Sequence, residues 1–287
     1  MEQSVTFKSA GAALQGTLHL PEGATDPRAA IVSCHGFGGS SRGAGHPQLA
    51  RALASAGYVV LRFDFRGCGE SGGEPGRIIC LEEVEDVRNA VTFLQSLPAV
   101  DGDRIGVIGT SLGGAVVIHA TAVDPRIKVC AATGAVANGR RLCSIQYPDP
   151  TNYQAYLARL EDAKRYRETT GRSVMINRYD IVHIPESRRS GMPPGSIMSF
   201  PAETAISMLE FSPDELVGHI SPRPLLLIHP RDDDVVPKSE SEHLASRAGQ
   251  PCELHILDTS EHFGSGNPEL QRIAIDWLGR YLPASSK

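Results

Sequence analysis

The stretch RIGVIGTSLGGAVVIHA, from Arg104 to Ala120, places one serine between two apolar segments. The residues before Ser111 are typical of a buried strand, and those after it are typical of a helix. GTSLG follows the pattern G-x-S-x-G, in which a sharp, strained turn presents the serine hydroxyl at the carboxyl edge of a sheet. Gly109 and Gly113 leave room for the strand and helix to approach each other. We therefore predict that Ser111 is a nucleophile; the competing interpretation is a helix N-cap.

A serine hydroxyl is a poor nucleophile at neutral pH and needs a base. Among the ten histidines, His262 lies in a loop between the strand-like CELHILD and the last helical segment. His119, His229 and His255 fall inside or at the end of predicted strands and helices, where packing or solvent exposure is expected. The order serine, acid, histidine that accompanies such a serine favours His262 as the base.

Two further groups are needed for acyl transfer. The segment HPRDDDVVP supplies Asp232, Asp233 and Asp234 just after a predicted strand, and one of them could orient the imidazole and stabilise its cation. The residues alone do not choose among the three, because acidic loop residues are commonly just solvated. The backbone N–H of Leu112 lies at a helix start and can bind a developing oxyanion.

The elements around these residues alternate along the chain. Apolar, mostly β-branched runs predict five strands: Ala30–Cys34, Tyr58–Phe63, Arg104–Gly109, Lys128–Thr133 and Pro224–His229. They do not alternate with polar residues, which indicates burial on both faces. Helical patterns lie between them, and Asn267 followed by Pro268 marks the start of the last helix. We predict an α/β fold with a mostly parallel central sheet flanked by helices.

One segment interrupts this alternation. Residues 138–200 hold five of the seven tyrosines and ten Lys or Arg against six Asp or Glu. More than sixty residues are too many for a simple connection between strands. We predict a core of residues 1–137 and 201–287 with residues 138–200 inserted as a cap. Within this cap, Asn152–Thr170 reads as a helix that Gly171 ends, and SVMINRYDIV as a short hairpin.

The cap is the segment expected to select the substrate. Tyrosine together with arginine suits aromatic or anionic ligands, and Tyr153, Tyr156 and Tyr179 are the candidate contacts because their neighbours mix apolar and polar residues. The same residues would also suit a solvated lid or the subunit interface of a homodimer.

Composition excludes several classes of protein. The net charge of −5 and the pI of about 6.1 give no sign of a nucleic-acid partner. Apolar runs such as Leu225–Ile228 are too short to cross a membrane, and the first twenty residues lack the pattern of a secretory signal, so a cytoplasmic location is expected. The six cysteines are expected to be reduced, with Cys34 and Cys130 in the core, and without CxxC spacing a zinc site is not expected.

Five short motifs follow one another along the chain: HGFGG (35–39), DFRGCGES (64–71), GTSLGG (109–114), PRPLLLIHPRDDDVVP (222–237) and EHF (261–263). In these motifs and their order the sequence resembles the serine hydrolases of the α/β-hydrolase superfamily, closest to the bacterial carboxylesterase, dienelactone-hydrolase-like and prolyl-oligopeptidase-like branches. The resemblance implies the α/β-hydrolase fold with a cap between core strands. It covers most of the chain outside the cap and is only weakly specific for a substrate.

The resemblance also assigns individual residues. It implies Asp233 as the acid, four residues before the proline of the V-P pair, although Pro230 stands where a glycine is usual and leaves Asp232 and Asp234 as lesser candidates. It implies the N–H of Phe37 as the second oxyanion donor, with His35 bracing that loop. Asp64 and Arg66 are expected to fix loops, or to form a surface pair or contact the substrate.

These inferences predict a serine hydrolase that cleaves small carboxylic esters through an acyl-enzyme, without a metal or organic cofactor. A peptidase or amidase, and a thioesterase or acyltransferase, would use the same three side chains and remain alternatives. A purely binding member of the fold is the least favoured, since nucleophile, base and acid are all present.

Overall fold

The computed structural model describes residues 1–43, 45–190, 196–262 and 266–285. Its core is an eight-stranded sheet with the strand order β1-β2-β4-β3-β5-β6-β9-β10. The strands are β1 (Glu2–Ser9), β2 (Ala12–His19), β3 (Arg28–Cys34), β4 (Val59–Phe63), β5 (Val100–Thr110), β6 (Ile127–Thr133), β9 (Leu225–Pro230) and β10 (Cys252–Leu257). From β4 to β10 all neighbouring strands are parallel.

Two layers of helices cover this sheet. The helices of the core are α1 (His46–Ser55), α2 (Cys80–Gln95), α3 (Leu112–Val123), α9 (Ser239–Arg247) and α10 (Pro268–Tyr281). Alternate residues of β3 belong to different buried clusters: Ile31 lies in the one that contains Trp277 of α10, whereas Val32 lies in the one that contains Val87 of α2. Because both faces are covered, the predicted strands are mostly apolar, and the predicted mostly parallel α/β architecture is confirmed.

The first two strands extend the sheet beyond the predicted part. β1 pairs antiparallel with β2, and β2 pairs antiparallel with β4. Most of β1 is exposed or half-exposed, so it lacks the continuous apolar run by which the other strands are recognised.

The chain between β6 and β9 forms a helical insert, residues 138–210. It contains α4 (Gly139–Gln146), α5 (Pro150–Thr170), β7 (Met175–Asn177), α6 (Arg178–Ile181), α7 (Glu186–Arg189), β8 (Ser199–Pro201) and α8 (Ala202–Glu210). Gly171 ends α5 in the left-handed region at φ 69°. The proposed cap boundary at residue 200 falls just before α8, which packs on α4 and α5. Residues 191–195 of the predicted cap lie outside the described ranges.

The hairpin predicted for SVMINRYDIV is wrong. Only Met175–Asn177 is a strand, and it pairs antiparallel with Ser199–Pro201. The following residues, Arg178–Ile181, form a helical turn that the Asn177 side chain caps by accepting a hydrogen bond from the N–H of Tyr179. The apolar pattern was correct locally, but its pairing partner lies about twenty residues further along the chain.

No helix within the described ranges is long and apolar enough to span a membrane. All six cysteines are free thiols, and all except Cys252 are buried. Cys34 and Cys130 lie in β3 and β6 with no exposed surface, as expected for small core residues.

Candidate active site

Ser111 lies between β5 and α3 in a conformation that few L-residues adopt. Its φ of 56° and ψ of −123° carry backbone strain of the kind found at functional turns. The turn is tight enough that a Cβ on Gly109 would lie 2.2 Å from the carbonyl oxygen of Gly113, and one on Gly113 would lie 2.2 Å from that of His35. Only glycine fits both positions, and Ser111 is left partly exposed at the carboxyl edge of the sheet.

Three side chains from separate loops form a hydrogen-bonded chain at this edge. The Oγ atom of Ser111 lies 2.9 Å from Nε2 of His262, and Nδ1 of His262 lies 2.5 Å from Oδ2 of Asp233. A carboxylate only accepts hydrogen bonds, so Nδ1 carries the proton and Nε2 is free to accept from the serine hydroxyl. The imidazole is 2% exposed, which shields it from competing water.

Asp233 is built to remain ionised although it is buried. Burial alone would raise the pKa of this carboxyl, but the hydrogen bonds from His262 and from the backbone N–H groups of Val235 and Val236 hold the pKa below its ordinary value. The two N–H groups donate to Oδ1 over 2.9 and 3.0 Å. The remaining oxygen is therefore aimed at the imidazole as a fixed negative charge.

The neighbouring aspartates have other surroundings. Asp234 is exposed and pairs with Arg188 of the insert at 2.8 Å, and Asp232 is exposed to solvent. The structure thus brings Asp233 to His262 despite Pro230, which ends β9. We refer to residues 231–237 as the acid loop.

A second histidine, His229, forms a hydrogen bond with the backbone of the acid loop. His229 is fully buried, and its Nε2 donates to the carbonyl oxygen of Val236 over 2.8 Å while Nδ1 lies 2.7 Å from Oγ of Ser241. Burial lowers the pKa of His229, so the ring stays neutral and holds this geometry. In the sequence, His229 is only one of the histidines that compete for the role of base. Its place at the end of a buried strand is the one sequence signal that it holds the acid loop.

The segment HGFGG (35–39), which we call the oxyanion loop after the role predicted for Phe37, lies against the serine. A Cβ on Gly36 would lie 3.1 Å from Cβ of Ser111, and Phe37 is the next residue along the chain. The N–H of Leu112 belongs to the first turn of α3, whose amides lack partners within the helix. Phe37 and Leu112 thus belong to the two segments next to Ser111, and binding of an oxyanion by their N–H groups stays a prediction.

His35 holds the oxyanion loop in place, as expected. Its Nδ1 donates to the carbonyl oxygen of Gly36 over 2.9 Å, and its Nε2 accepts from the N–H of Phe65 over 3.1 Å. Burial lowers the pKa of His35, which keeps Nε2 unprotonated. The ring is thus committed to two backbone groups.

Asp64 and Arg66 also fix loops. Asp64 accepts from the backbone N–H groups of Ser41 and Glu70 over 2.6 and 2.9 Å. Arg66 pairs at 2.7 Å with Asp86, which has no exposed surface. Neither residue contacts the serine in these bonds, which accords with the loop-fixing interpretation.

The three candidate tyrosines of the insert have different environments. Tyr156 is 8% exposed and stacks on Tyr147 with ring centroids 4.7 Å apart. Tyr153 is half-buried against the core. Tyr179 lies beneath the guanidinium of Arg189 at 4.1 Å and lines a hollow together with Asp234 of the acid loop. Their contact with a substrate stays a prediction.

A search of the described part of the chain finds no group of three or more His, Cys, Asp or Glu side chains arranged to hold a metal ion. Phe263, the last residue of the EHF motif, lies outside the described residues.

Comparison with known proteins finds relatives that match most of the chain. An uncharacterized 31.7 kDa protein of Escherichia coli, from the traX-finO intergenic region, is 30% identical over 93% of this chain and 95% of its own length. Protein PA2218 of Pseudomonas aeruginosa is 30% identical over 98% of this chain and 80% of its own.

The crystal structure of PA2218 superimposes with a TM-score of 0.85, covering 98% of this chain and 94% of that one. Thiohydrolase aneE of Aspergillus aculeatus is 28% identical over 88% of this chain and 84% of its own. The model of the Alpha/beta hydrolase family matches residues 31–271. With this match spanning both halves of the core and the residues around Ser111, the chain belongs to the alpha/beta hydrolase family.

Proposed function

We propose that this alpha/beta hydrolase cleaves carboxylic esters through an acyl-enzyme formed on Ser111. The observation that carries the proposal is the continuous hydrogen-bonded chain from Ser111 through His262 to Asp233, with spacings of 2.9 and 2.5 Å. A serine, a neutral imidazole and a buried carboxylate in this order are the three parts that activate a hydroxyl at neutral pH.

In the proposed reaction, Oγ of Ser111 attacks the carbonyl carbon while Nε2 of His262 takes the hydroxyl proton. The oxygen that becomes negative accepts hydrogen bonds from the N–H groups of Leu112 and Phe37. The tetrahedral intermediate collapses, the carbon–oxygen bond to the alcohol breaks, and Nε2–H protonates the departing oxygen. A water molecule then attacks the acyl-enzyme by the same route, and the acid is released.

Asp233 acts on this cycle through the imidazole. Its charge stabilises the imidazolium that exists at each tetrahedral stage, and its fixed orientation keeps Nε2 directed at the serine. The two backbone donors on Oδ1 prevent the carboxylate from rotating, so the orientation costs nothing during turnover.

A thioester is the second candidate substrate. It is favoured by the relative that carries the name thiohydrolase, and the proposed steps would differ only in the atom that leaves. Removal of a thiolate demands less help from Nε2–H, because thiols are far more acidic than alcohols.

We further propose that residues 138–200 form the cap over Ser111. This is supported by contacts of the insert with two loops beside the serine: Phe200 lies 4.5 Å from Phe37 between ring centroids, and Arg188 pairs with Asp234 of the acid loop. The cap would place Tyr179 at the edge of the substrate site, and the excess of Lys and Arg in it would favour acyl groups of neutral or negative charge.

The test is a panel of matched oxoesters and thioesters that share one acyl group, in a series of increasing acyl length, with aminoacyl arylamides as the amide comparison. Intact mass measured after rapid quenching should show one acyl group on the wild-type protein and none on Ser111→Ala. Turnover of oxoesters within about tenfold of the thioesters supports the first candidate, and a thioester preference above about a hundredfold supports the second. Absence of both turnover and adduct with every substrate contradicts the proposal.

A further inference from the structure

Arg178, the first residue of α6, is a buried cation of the insert. It is 4% exposed and lies over the rings of Phe37 and Phe200, with 5.1 and 5.7 Å from its guanidinium carbon to their centroids. Burial lowers the pKa of Arg178. The guanidinium fits because Gly38 has no side chain: a Cβ there would lie 3.0 Å from Nη1 of Arg178 and 2.9 Å from the Phe200 ring.

Among the described residues, no acidic side chain pairs with the charge of Arg178. Within residues 1–43, 45–190, 196–262 and 266–285, no carboxylate oxygen lies within 4.0 Å of its guanidinium, and Nε makes no hydrogen bond. Burying an unpaired cation is costly, and an apolar residue of similar size would commonly stabilise such a site. A contribution to stability is therefore a poor explanation for an arginine here.

The hydrogen bonds of Arg178 indicate another role. Nη2 donates to the carbonyl oxygen of Phe37 over 2.7 Å, and Nη1 donates to that of Ile197 over 2.9 Å. The guanidinium thus joins the insert to the oxyanion loop. Phe37 is also the residue whose N–H is proposed to bind the oxyanion.

The peptide groups on both sides of Phe37 are held from different directions. The carbonyl of Gly36, which shares a peptide plane with the N–H of Phe37, accepts from His35 and from the N–H of Gly39 over 2.9 and 3.1 Å. The following peptide, which carries the carbonyl of Phe37, is held by Arg178. His35 belongs to the core, whereas Arg178 belongs to the insert, so the bond from Arg178 is a direct hydrogen bond by which the insert holds the backbone of this loop.

We propose that Arg178 is a positioning residue, through which the insert fixes the backbone of Phe37 so that its N–H points at the oxyanion. The inference rests on the proposed function of Ser111. It predicts that the docked insert completes the oxyanion site, and that loss of the bond to Phe37 weakens stabilisation of the transition state while leaving ground-state binding nearly intact. A displacement of about 1 Å in such a donor can reduce the rate by about a hundredfold.

The experiment compares Arg178→Met, which keeps the apolar stem, with Arg178→Gln, which is polar but shorter, and with Arg178→Lys, which restores one charged donor. Arg165→Met is the matched control, because Arg165 lies on the same insert, is exposed and, within the described residues, forms its ion pair with Asp162 alone. For each variant, kcat, KM, the melting temperature and the inhibition constant of an arylboronic acid are measured. The boronic acid forms a tetrahedral adduct with a serine and therefore reports on the oxyanion site.

We expect Arg178→Met to lower kcat by about 10- to 100-fold, less than the roughly 10²- to 10³-fold seen when one oxyanion donor is removed outright, because the N–H of Phe37 is displaced and not deleted. KM should change by less than about threefold, and the boronic acid should bind more weakly by the same factor as kcat falls. Arg178→Lys should recover most of the loss, and Arg165→Met should match the wild type. If the Met variant does not fold, the Gln variant is judged by the same criteria.

Unchanged kcat in the folded Met or Gln variant would overturn the inference. So would an effect confined to KM, which would make Arg178 a substrate contact, or a fall in kcat with unchanged boronic-acid binding. A lower melting temperature with normal kcat would assign Arg178 a structural role only. A wild-type protein that neither turns over any substrate nor binds the boronic acid would instead contradict the proposed function itself.

Discussion

The sharpest consequence of the site geometry concerns Asp233→Asn. In the wild type, Oδ1 accepts from two backbone N–H groups and Oδ2 accepts from Nδ1–H of His262. An asparagine has one acceptor oxygen, and we expect the fixed N–H groups of Val235 and Val236 to donate their hydrogen bonds to it. The amide NH₂ must then face His262, where it can only donate. The imidazole then favours the tautomer that is protonated at Nε2, and a protonated Nε2 cannot accept the proton of Ser111.

The expected loss follows from this change of tautomer. The corresponding substitution in a serine protease reduces kcat about 10⁴-fold, equivalent to about 5 kcal/mol of transition-state stabilisation at 1.36 kcal/mol per factor of ten. We expect the same order here, with KM changed by less than about threefold. Initial rates on an aryl ester of short acyl length, corrected with Ser111→Ala as background, measure both constants.

Asp234→Asn provides the matched control. It removes a negative charge one residue away, but the pair that it breaks with Arg188 is exposed and worth little, so kcat should stay within about twofold of the wild type. If Asp233→Asn retains more than about a tenth of the wild-type kcat, or if Asp234→Asn lowers kcat more, Asp233 is not the residue that orients His262.

The remaining predictions test three separate parts of the structure, namely the turn at Ser111, the tyrosines of the insert and the charge of Asp233. Ser111→Ala should lower kcat by about 10⁶-fold. Ser111→Gly should be equally inactive, but its free energy of unfolding in urea should be about 1 kcal/mol higher than that of Ser111→Ala, because glycine adopts the positive φ of this residue without strain; equal free energies would contradict the strain. Tyr179→Ala should raise KM about two- to tenfold at nearly constant kcat, whereas Tyr156→Ala removes a buried stacked ring and should mainly lower the melting temperature. If either variant keeps a normal KM but changes its elution volume on size exclusion, the tyrosine belongs to a subunit interface. Because the pKa of Asp233 in the folded protein lies below its ordinary value of 3.8, its ionised form contributes stability that is present above about pH 4 and is lost as the pH falls through the folded pKa. The stability advantage of the wild type over Asp233→Asn in urea should therefore shrink below about pH 4, and a constant difference would contradict it.

The parts of the fold that could be predicted are those in which burial leaves a local pattern. β3, β4 and the part of β5 from Ile105 onward are covered on both faces, so each contains a largely apolar run. β1 lies at the edge with one face in solvent, and β7 finds its partner in β8 only after the intervening helices. Pairing between distant short strands depends on tertiary packing, which no local periodicity encodes.

The same distinction applies to the site. Ser111 is recognisable because the turn requires glycines at fixed positions on both sides of it. The choice of Asp233 over its neighbours required the family resemblance, because the two backbone donors that fix it appear only when the acid loop is folded. Arg178 carries no sequence signal: its role arises from burial against a loop that lies 141 residues earlier in the chain.

The separation between Ser111 and His262 also has a consequence during synthesis. The two residues are 151 positions apart, so at roughly 5 to 20 residues per second Ser111 is incorporated into the chain roughly 8 to 30 s before His262. Until β10 has joined the edge of the sheet and the loop after it has closed on Asp233, the hydroxyl is an ordinary alcohol. In the proposed mechanism, a nascent or truncated chain without His262 therefore does not form the acyl-enzyme, and ester hydrolysis would report that the last quarter of the polypeptide has folded.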